Sequence, residues 1–264
     1  LNPVSSIPPE ITTRIATHLA SPIARITLQN PPLNVIDIPM MEQLSQALTE
    51  IEERNDISAI VLSGEGANFS AGVNVADHTR DKIAEMLGKF HAAVRAVVST
   101  KKVTIACVRG NCLGGGAELA LVCDMVYTAD SAHWGFPEIK LGCYPPVACA
   151  ALAALVGQKR ASELILTGRT IGGTEATNIG LANRAVPEQE LENVVQQTAR
   201  EVSRLSPAAL AVTKKAFYAW DAAHFDKGLS RAEKIYLEDL MKTSDAHEGI
   251  RAFMEKREPK WIGK

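Results

Sequence analysis

Residues 103–123 constrain the fold more than any other stretch. Val103 to Val108 (VTIACV) is an uninterrupted apolar run rich in β-branched residues, which suits a strand covered on both faces. The chain then passes through Gly110-Asn111-Cys112-Leu113-Gly114-Gly115-Gly116 into Ala117 to Cys123 (AELALVC), an apolar helix. A buried strand that turns straight into a buried helix belongs to an α/β protein, where chemistry gathers in the loops at strand ends.

The same succession recurs along the first two thirds. Ile23 to Leu28 reads as a strand stopped by Asn30-Pro31-Pro32, Met40 to Asn55 as a helix, and Ser58 to Ser63 as a second buried strand opening into NFSAGVNVADH. A helix over Lys82 to Ser99 precedes the central strand, and brief strands are expected at Met125 to Thr128 and His133 to Phe136. From about Ala150 the pattern is almost entirely helical, with amphipathic stretches at Glu188 to Leu205, Pro207 to Trp220, Ser230 to Lys242 and Ser244 to Lys256. This divides the chain into a lead-in over 1–22, a strand-and-helix core over 23–195 and a helical region over 196–264. No sequence period of 20–50 residues is visible, so the repetition is architectural.

Charge narrows the partners. Lys+Arg at 28 against Asp+Glu at 30 gives a net charge of -2, without a basic block for nucleic acid or a membrane surface. A small neutral or anionic ligand is the better default. Cys107, Cys112, Cys123, Cys143 and Cys149 form an odd set with no C-x-x-C spacing and no histidine at zinc-ligand spacing, so they read as reduced, with no metal site expected. Cys143 and Cys149 read as small apolar fillers. No signal-like start and no run near about 20 uncharged apolar residues is present. A cytoplasmic protein that does not span a membrane is the expectation.

The glycine run has two readings. The unpaired N–H groups of a helix N-terminus could face a ligand at Gly114 to Gly116, or the glycines could simply allow a tight turn and close packing. Neither G-x-x-x-x-G-K-[ST] nor G-x-G-x-x-G is present, which argues against a nucleotide. Glu118 stands two residues past the last glycine in an apolar helix start, as a first-turn charge or a poised catalytic group. Glu138, in FPEIKLG, offers a second carboxylate whose ordinary role would be an exposed or paired surface charge. Spacing alone does not connect the two.

Taken in order, SAGVNVADH at 70–78, GNCLGGGAELAL at 110–121, FPEIKLG at 136–142 and RAFMEKREPKWIG at 251–263 resemble the enoyl-CoA hydratase/isomerase (crotonase) superfamily, over about 23–263. LILTGRTIGGTEATNIGLANRAVP at 164–187 is similar to that family's segment beyond the active site. The resemblance implies an α/β crotonase-type spiral of repeated ββα units with a helical C-terminal trimerisation region, forming a homotrimer or hexamer. It implies an oxyanion hole from the backbone N–H groups of Val73 and Gly115, flanked by Ala71, Gly72 and Gly114. It also maps the family's two hydratase carboxylates onto Glu118 and Glu138. Isomerases of the superfamily commonly dispense with the first, so a hydratase acting on an acyl-CoA thioester is favoured, with coenzyme A arriving on the substrate and no separate cofactor. Asn34 and Val35, in NPPLNV, correspond to a CoA-contacting loop, and Phe253 and Lys256 to positions that reach CoA, often from a neighbouring subunit.

Departures narrow the substrate. GCYPPVACAAL at 142–152 replaces the family's usual glycine-rich and Thr-Gln-Arg stretch, and Asn74 stands where aspartate is frequent. Together with ADHT at 76–79 and KIYLEDLMKTSDAHEGIRAFMEKR at 234–257, these segments resemble cyclohexa-1,5-diene-1-carbonyl-CoA hydratases of anaerobic aromatic degradation. His78 could touch substrate or serve only structure, Tyr144 could line the acyl pocket or merely pack, and Pro145-Pro146 could stiffen the pocket or form a surface turn. Other crotonase reactions (isomerisation, decarboxylation, hydrolysis) and a non-catalytic trimeric binding protein, such as an RNA binder, are the rival functions.

Overall fold

The computed structural model describes residues 12–218 and 222–263. Its main sheet runs in the order β1 (Ile15–Ala20), β2 (Ile23–Leu28), β3 (Ala59–Gly64), β4 (Val103–Val108), β6 (Met125–Ala129), β9 (Arg184–Val186). Only β1 and β2 pair antiparallel; every other neighbour is parallel. A smaller sheet contains β5 (Asn111–Leu113), β7 (His133–Gly135) and β8 (Thr170–Gly172), and the bridges Ile36 to Val73 and Ser70 to Cys112 prolong it.

Each turn of the chain therefore adds a main-sheet strand, a short piece of the second sheet and a helix, the ββα repeat. The helices are α1 (Ile38–Glu52), α2 (Ile83–Ser99), α3 (Gly115–Leu121), α4 (Pro146–Val156), α5 (Gln158–Thr167), α6 (Gly173–Asn178) and α7 (Glu188–Ser203). Beyond them come α8 (Pro207–Tyr218), α9 (Ala222–Glu238) and α10 (Ser244–Met254). No helix among the described residues is long and apolar enough to cross a membrane.

The central strand explains itself. All six residues of β4 are buried, because α7 covers the sheet on one side and the spiral fills the other. Each fully buried Val or Ile there contributes roughly 1.5–3 kcal/mol relative to exposure. α1 starts where Asp37 caps it: its Oδ1 accepts from the Met40 N–H at 3.0 Å, while Oδ2 accepts from Arg14 Nε at 2.7 Å.

Three expectations need correction. The lead-in over 1–22 contains a strand, since β1 pairs with β2 along its length; as an edge strand it buries little beyond Ile15, so its sequence shows no alternation. The boundary near 195 falls inside α7, which packs on the main sheet through Leu191, Val195, Ala199 and Val202. The helical region instead begins after Ser203, with α8, a helix that buries no residue. Finally, α9 begins eight residues before the expected Ser230 start and ends at Glu238, because its buried seam runs through Leu229, Ala232 and Tyr236 at helical spacing.

Candidate active site

Chain leaving β3 folds back so that Ser70 to Val73 runs beside Ile36 and β5. Ile36 donates its N–H to the Gly72 carbonyl at 2.9 Å, and its own carbonyl accepts from the Asn74 N–H at 2.9 Å. In such a parallel bridge the residue between the two bonds turns its own N–H the other way, and no described residue accepts from Val73. Gly115 is the first residue of α3, so its N–H also lacks an intrahelical partner. The two residues abut, for a Cβ built on Gly115 would lie 2.5 Å from Val73 Cγ2. Both readings of the glycine run hold at once: Gly114 adopts φ 50, Gly116 lets Ser70 approach within a Cβ's reach, and Gly115 leaves a free donor.

Glu118 lies one turn into α3 and is 3 % exposed. Its Oε1 accepts from the N–H groups of Val147 (2.7 Å) and Ala148 (3.0 Å), the orphan donors at the start of α4. Burial pushes its carboxyl up to about 7, with those two N–H bonds opposing the rise. Glu138 sits in the 3-10 turn Pro137–Leu141, and Oε1 rests so close to Gly114 that a Cβ there would meet it at 2.7 Å. Its Oε2 is buried without a partner among the described residues. Burial, then the nearby Glu118 carboxylate, raises Glu138 well above the usual carboxylate range. With Oε2 unpartnered and only its own backbone N–H to offset burial, Glu138 holds its proton more tightly than Glu118, whose Oε1 accepts two N–H bonds. α10 buttresses this turn, since Gly142 and Gly249 leave no room for a Cβ against Asp245 and Leu141.

One cavity of about 370 Å³ gathers most of the expected residues: Ala71, Gly72, Val73, His78, Gly114, Gly115, Glu118, Glu138, Tyr144 and Phe253 all line it. His78 Nδ1 donates to the Asn74 carbonyl at 3.1 Å, which leaves Nε2 as an acceptor, and burial holds the ring neutral. Tyr144 lines the wall with its ring, but its hydroxyl donates to the Ala232 carbonyl of α9 at 2.6 Å. Pro145 and Pro146 are buried, and Pro146 both begins α4 and lines the cavity, so the pair is no surface turn.

Three expected contacts lie elsewhere. Asn34 is fully buried, and both its amide hydrogens go to carbonyls, of Glu65 at 2.9 Å and Asn68 at 2.8 Å, which makes it a framework residue. The half-buried Val35 lies outside the lining, with its carbonyl accepting from Asn30 Nδ2. Lys256 is exposed with φ 53, and occupies the left-handed position after α10, where the Arg257 N–H returns to the Ala252 carbonyl at 3.0 Å. Cys149 also departs from expectation, being exposed where an apolar filler was expected. Sequence reasoning missed Val75, Met86, Leu87 and Phe90, and above all Tyr236 of α9. A tyrosine on an otherwise apolar helix seam was the available signal for the last.

The model of the family described as enoyl-CoA hydratase/isomerase matches residues 19–264. The chain belongs to that family. It is 34 % identical over 239 residues to the cyclohexa-1,5-dienecarbonyl-CoA hydratase of Thauera aromatica, covering 90 % of this chain and 92 % of that protein. It is 35 % identical over 239 residues to a probable enoyl-CoA hydratase of Mycobacterium bovis, covering 89 % and 93 %. Among solved structures, the enoyl-CoA hydratase of Mycobacterium avium subsp. paratuberculosis superposes with a TM-score of 0.86 at 26 % identity, covering 95 % of this chain and 99 % of that one. The enoyl-CoA hydratase/isomerase fold thus accounts for the spiral.

Proposed function

We propose that the protein is an acyl-CoA hydratase, a hydro-lyase that adds water to a conjugated enoyl- or dienoyl-CoA thioester, with cyclohexa-1,5-diene-1-carbonyl-CoA as the favoured substrate. The observation that carries this reading is the pairing of two buried carboxylates of unequal proton affinity in a cavity that also holds two free backbone N–H groups. A water between Glu118 and Glu138 attacks the electron-poor alkene carbon and gives a proton to ionised Glu118. Electrons move onto the thioester oxygen, where the Val73 and Gly115 N–H groups hold the enolate. Glu138 delivers its proton to carbon, and transfer of the proton from Glu118 to Glu138 restores the starting state. Each positioned acid or base is worth roughly 10²–10⁴ in rate. The step calls for no metal or redox cofactor.

A compact cyclic acyl group would suit the apolar part of the wall (Val75, Met86, Leu87, Phe90, Leu141, Phe253), and a dienoyl-CoA hydratase stands among relatives of nearly equal identity that are named enoyl-CoA hydratases. The CoA handle would leave past Phe253, with Val35 and Lys256 as outer contacts. Self-association into trimers or hexamers through the helical C-terminal region is part of the proposal; no residue of α8 is fully buried, and Val212 and Phe217 on it are largely exposed. A cytoplasmic setting within aromatic degradation is part of the same proposal. The test is parallel incubation with the cyclic dienoyl-CoA and with crotonyl-CoA, read by mass spectrometry. Gain of one water on the cyclic thioester in preference supports the reading, gain on crotonyl-CoA alone removes the ring, and gain on neither removes the hydratase.

A further inference from the structure

Two buried polar atoms on the cavity-lining residues meet no partner among the described residues: Glu138 Oε2 and the Tyr236 hydroxyl. The proposed hydration gives the first atom a partner in the attacking water. It leaves the second unexplained. Tyr236 comes from α9, is 1 % exposed, and packs its ring against Tyr144 with centroids 5.1 Å apart. The polar group beside its hydroxyl is the Cys143 thiol, a weak partner that itself points to the Leu141 carbonyl at 3.6 Å. Burial keeps the phenol protonated, and Glu138 is close enough to add to that effect.

Of the other polar groups that line the cavity, His78 Nε2 is an open acceptor and Lys140 is exposed, and the rest have assigned work. The free N–H groups of Val73 and Gly115 face the thioester oxygen, Glu118 Oε1 is held by α4, and the Tyr144 hydroxyl is held by Ala232. The reaction introduces one further oxygen, which begins as water between Glu118 and Glu138 and ends as a hydroxyl on the acyl group. Buried in the cavity, that hydroxyl has lone pairs that call for a donor, and the protonated Tyr236 phenol is one beside Glu138.

We propose that Tyr236 is a positioning residue for the added oxygen, its hydroxyl hydrogen-bonding to the hydroxyl of the hydrated acyl group beside Glu138. This rests on the hydratase reading of the site. The enoyl thioester alone offers Tyr236 nothing, and the contact appears only as the carbon–oxygen bond forms. It therefore favours the transition state and the hydroxyacyl product over the enoyl ground state. It also gives a helix far along the chain a direct part in discriminating hydrated from unhydrated thioesters.

The test uses two thioesters that cannot react because their α-carbon carries no hydrogen: 2,2-dimethylbutyryl-CoA and 2,2-dimethyl-3-hydroxybutyryl-CoA. Their dissociation constants are measured calorimetrically on the full chain and on Tyr236→Phe, alongside thermal unfolding. The hydroxylated thioester should bind the unaltered protein about tenfold more tightly, the worth of one buried hydrogen bond, and Tyr236→Phe should bring the ratio near one without weakening the other ligand. Loss of an unpartnered hydroxyl should leave the melting temperature equal or higher. The proposal is overturned if the ratio survives in Tyr236→Phe, if both ligands weaken equally, or if the melting temperature drops, which would mean the hydroxyl is engaged within the protein. Hydratase assays on the same samples keep the two readings apart. A hydroxyl-dependent ratio in a protein that hydrates nothing upholds Tyr236 as a hydroxyacyl-CoA contact while removing the hydratase, and failure of either thioester to bind removes both.

Discussion

Glu118→Gln removes a charge from the cavity while keeping its shape. The amide oxygen would still accept from the Val147 and Ala148 N–H groups that now lie 2.7 and 3.0 Å from Oε1. In the native chain burial lifts this carboxyl from 4.5 to about 7, and ionising it in place costs roughly 3 kcal/mol of folding free energy. The folded state binds this proton more tightly than the unfolded state. The cost is therefore absent below about pH 4.5, grows as pH rises, and is complete above about pH 7. Glu118→Gln should leave stability near pH 4 almost unchanged and raise it near pH 8 by up to about 3 kcal/mol, on the order of 6–10 °C in Tm. Glu138 retains a residual slope of the same sign, since burial raises it independently of its neighbour. Hydration should meanwhile fall by at least roughly tenfold, and by up to about 10⁴ if Glu118 is the sole base. Thermal unfolding across this pH range, followed by circular dichroism, and loss of enoyl-thioester absorbance supply the two readouts. Identical Tm-against-pH curves for the two proteins, or hydration within threefold of native, would refute the reasoning.

Gly115→Ala should lower kcat on the order of 10²-fold, because its Cβ would lie 2.5 Å from Val73 Cγ2 and push the two oxyanion donors apart; a normal kcat would remove them from the chemistry. The pH profile of kcat/KM should rise through about 7 as Glu118 ionises and fall at higher pH as Glu138 loses its proton, and a flat profile between pH 5 and 9 would contradict those roles. Asn34→Ala should destabilise the protein by about 2 kcal/mol or more by stranding the Glu65 and Asn68 carbonyls, measured by denaturant unfolding; unchanged stability with a raised KM would restore it as a ligand contact. Lys256→Gly should raise stability by about 0.5–1 kcal/mol by relieving φ 53 and raise KM with a softer salt dependence, and an unchanged KM would remove Lys256 from the outer CoA contacts.

What the sequence revealed of the site follows from where the chemistry is encoded. Val73, Gly115, Glu118 and Glu138 lie in loops and helix starts whose residue types the backbone demands: a Cβ at Gly114 would collide with Glu138, and one at Gly115 with Val73. β4 and α2 were legible because burial on both faces or along one seam leaves an unbroken pattern. β1 was not, since an edge strand with one buried residue carries no alternation, and β8 and β9 span three residues each, too few for a period. The Asn34 side chain, assigned to a ligand by its family position, ties together two loops, a use that only the folded chain displays. Tyr236 was signalled only by being the one tyrosine on an apolar helix seam, a pattern that a core tyrosine shares; the docking of α9 against α4 and α2 decides between them.

The tether from the Tyr144 hydroxyl to Ala232 joins the segment that follows Glu138 to a helix almost a hundred residues further along the chain. The proposed acid, base and oxyanion donors all lie between residues 73 and 138, whereas Tyr236 and Phe253, which line the same cavity, are carried by α9 and α10. A lineage could therefore exchange one acyl preference for another through substitutions in the last forty or so residues, leaving the reacting groups and their spacing as inherited. Laboratory selection for new thioesters has the same economical starting point: libraries confined to α9 and α10, on an unaltered catalytic half.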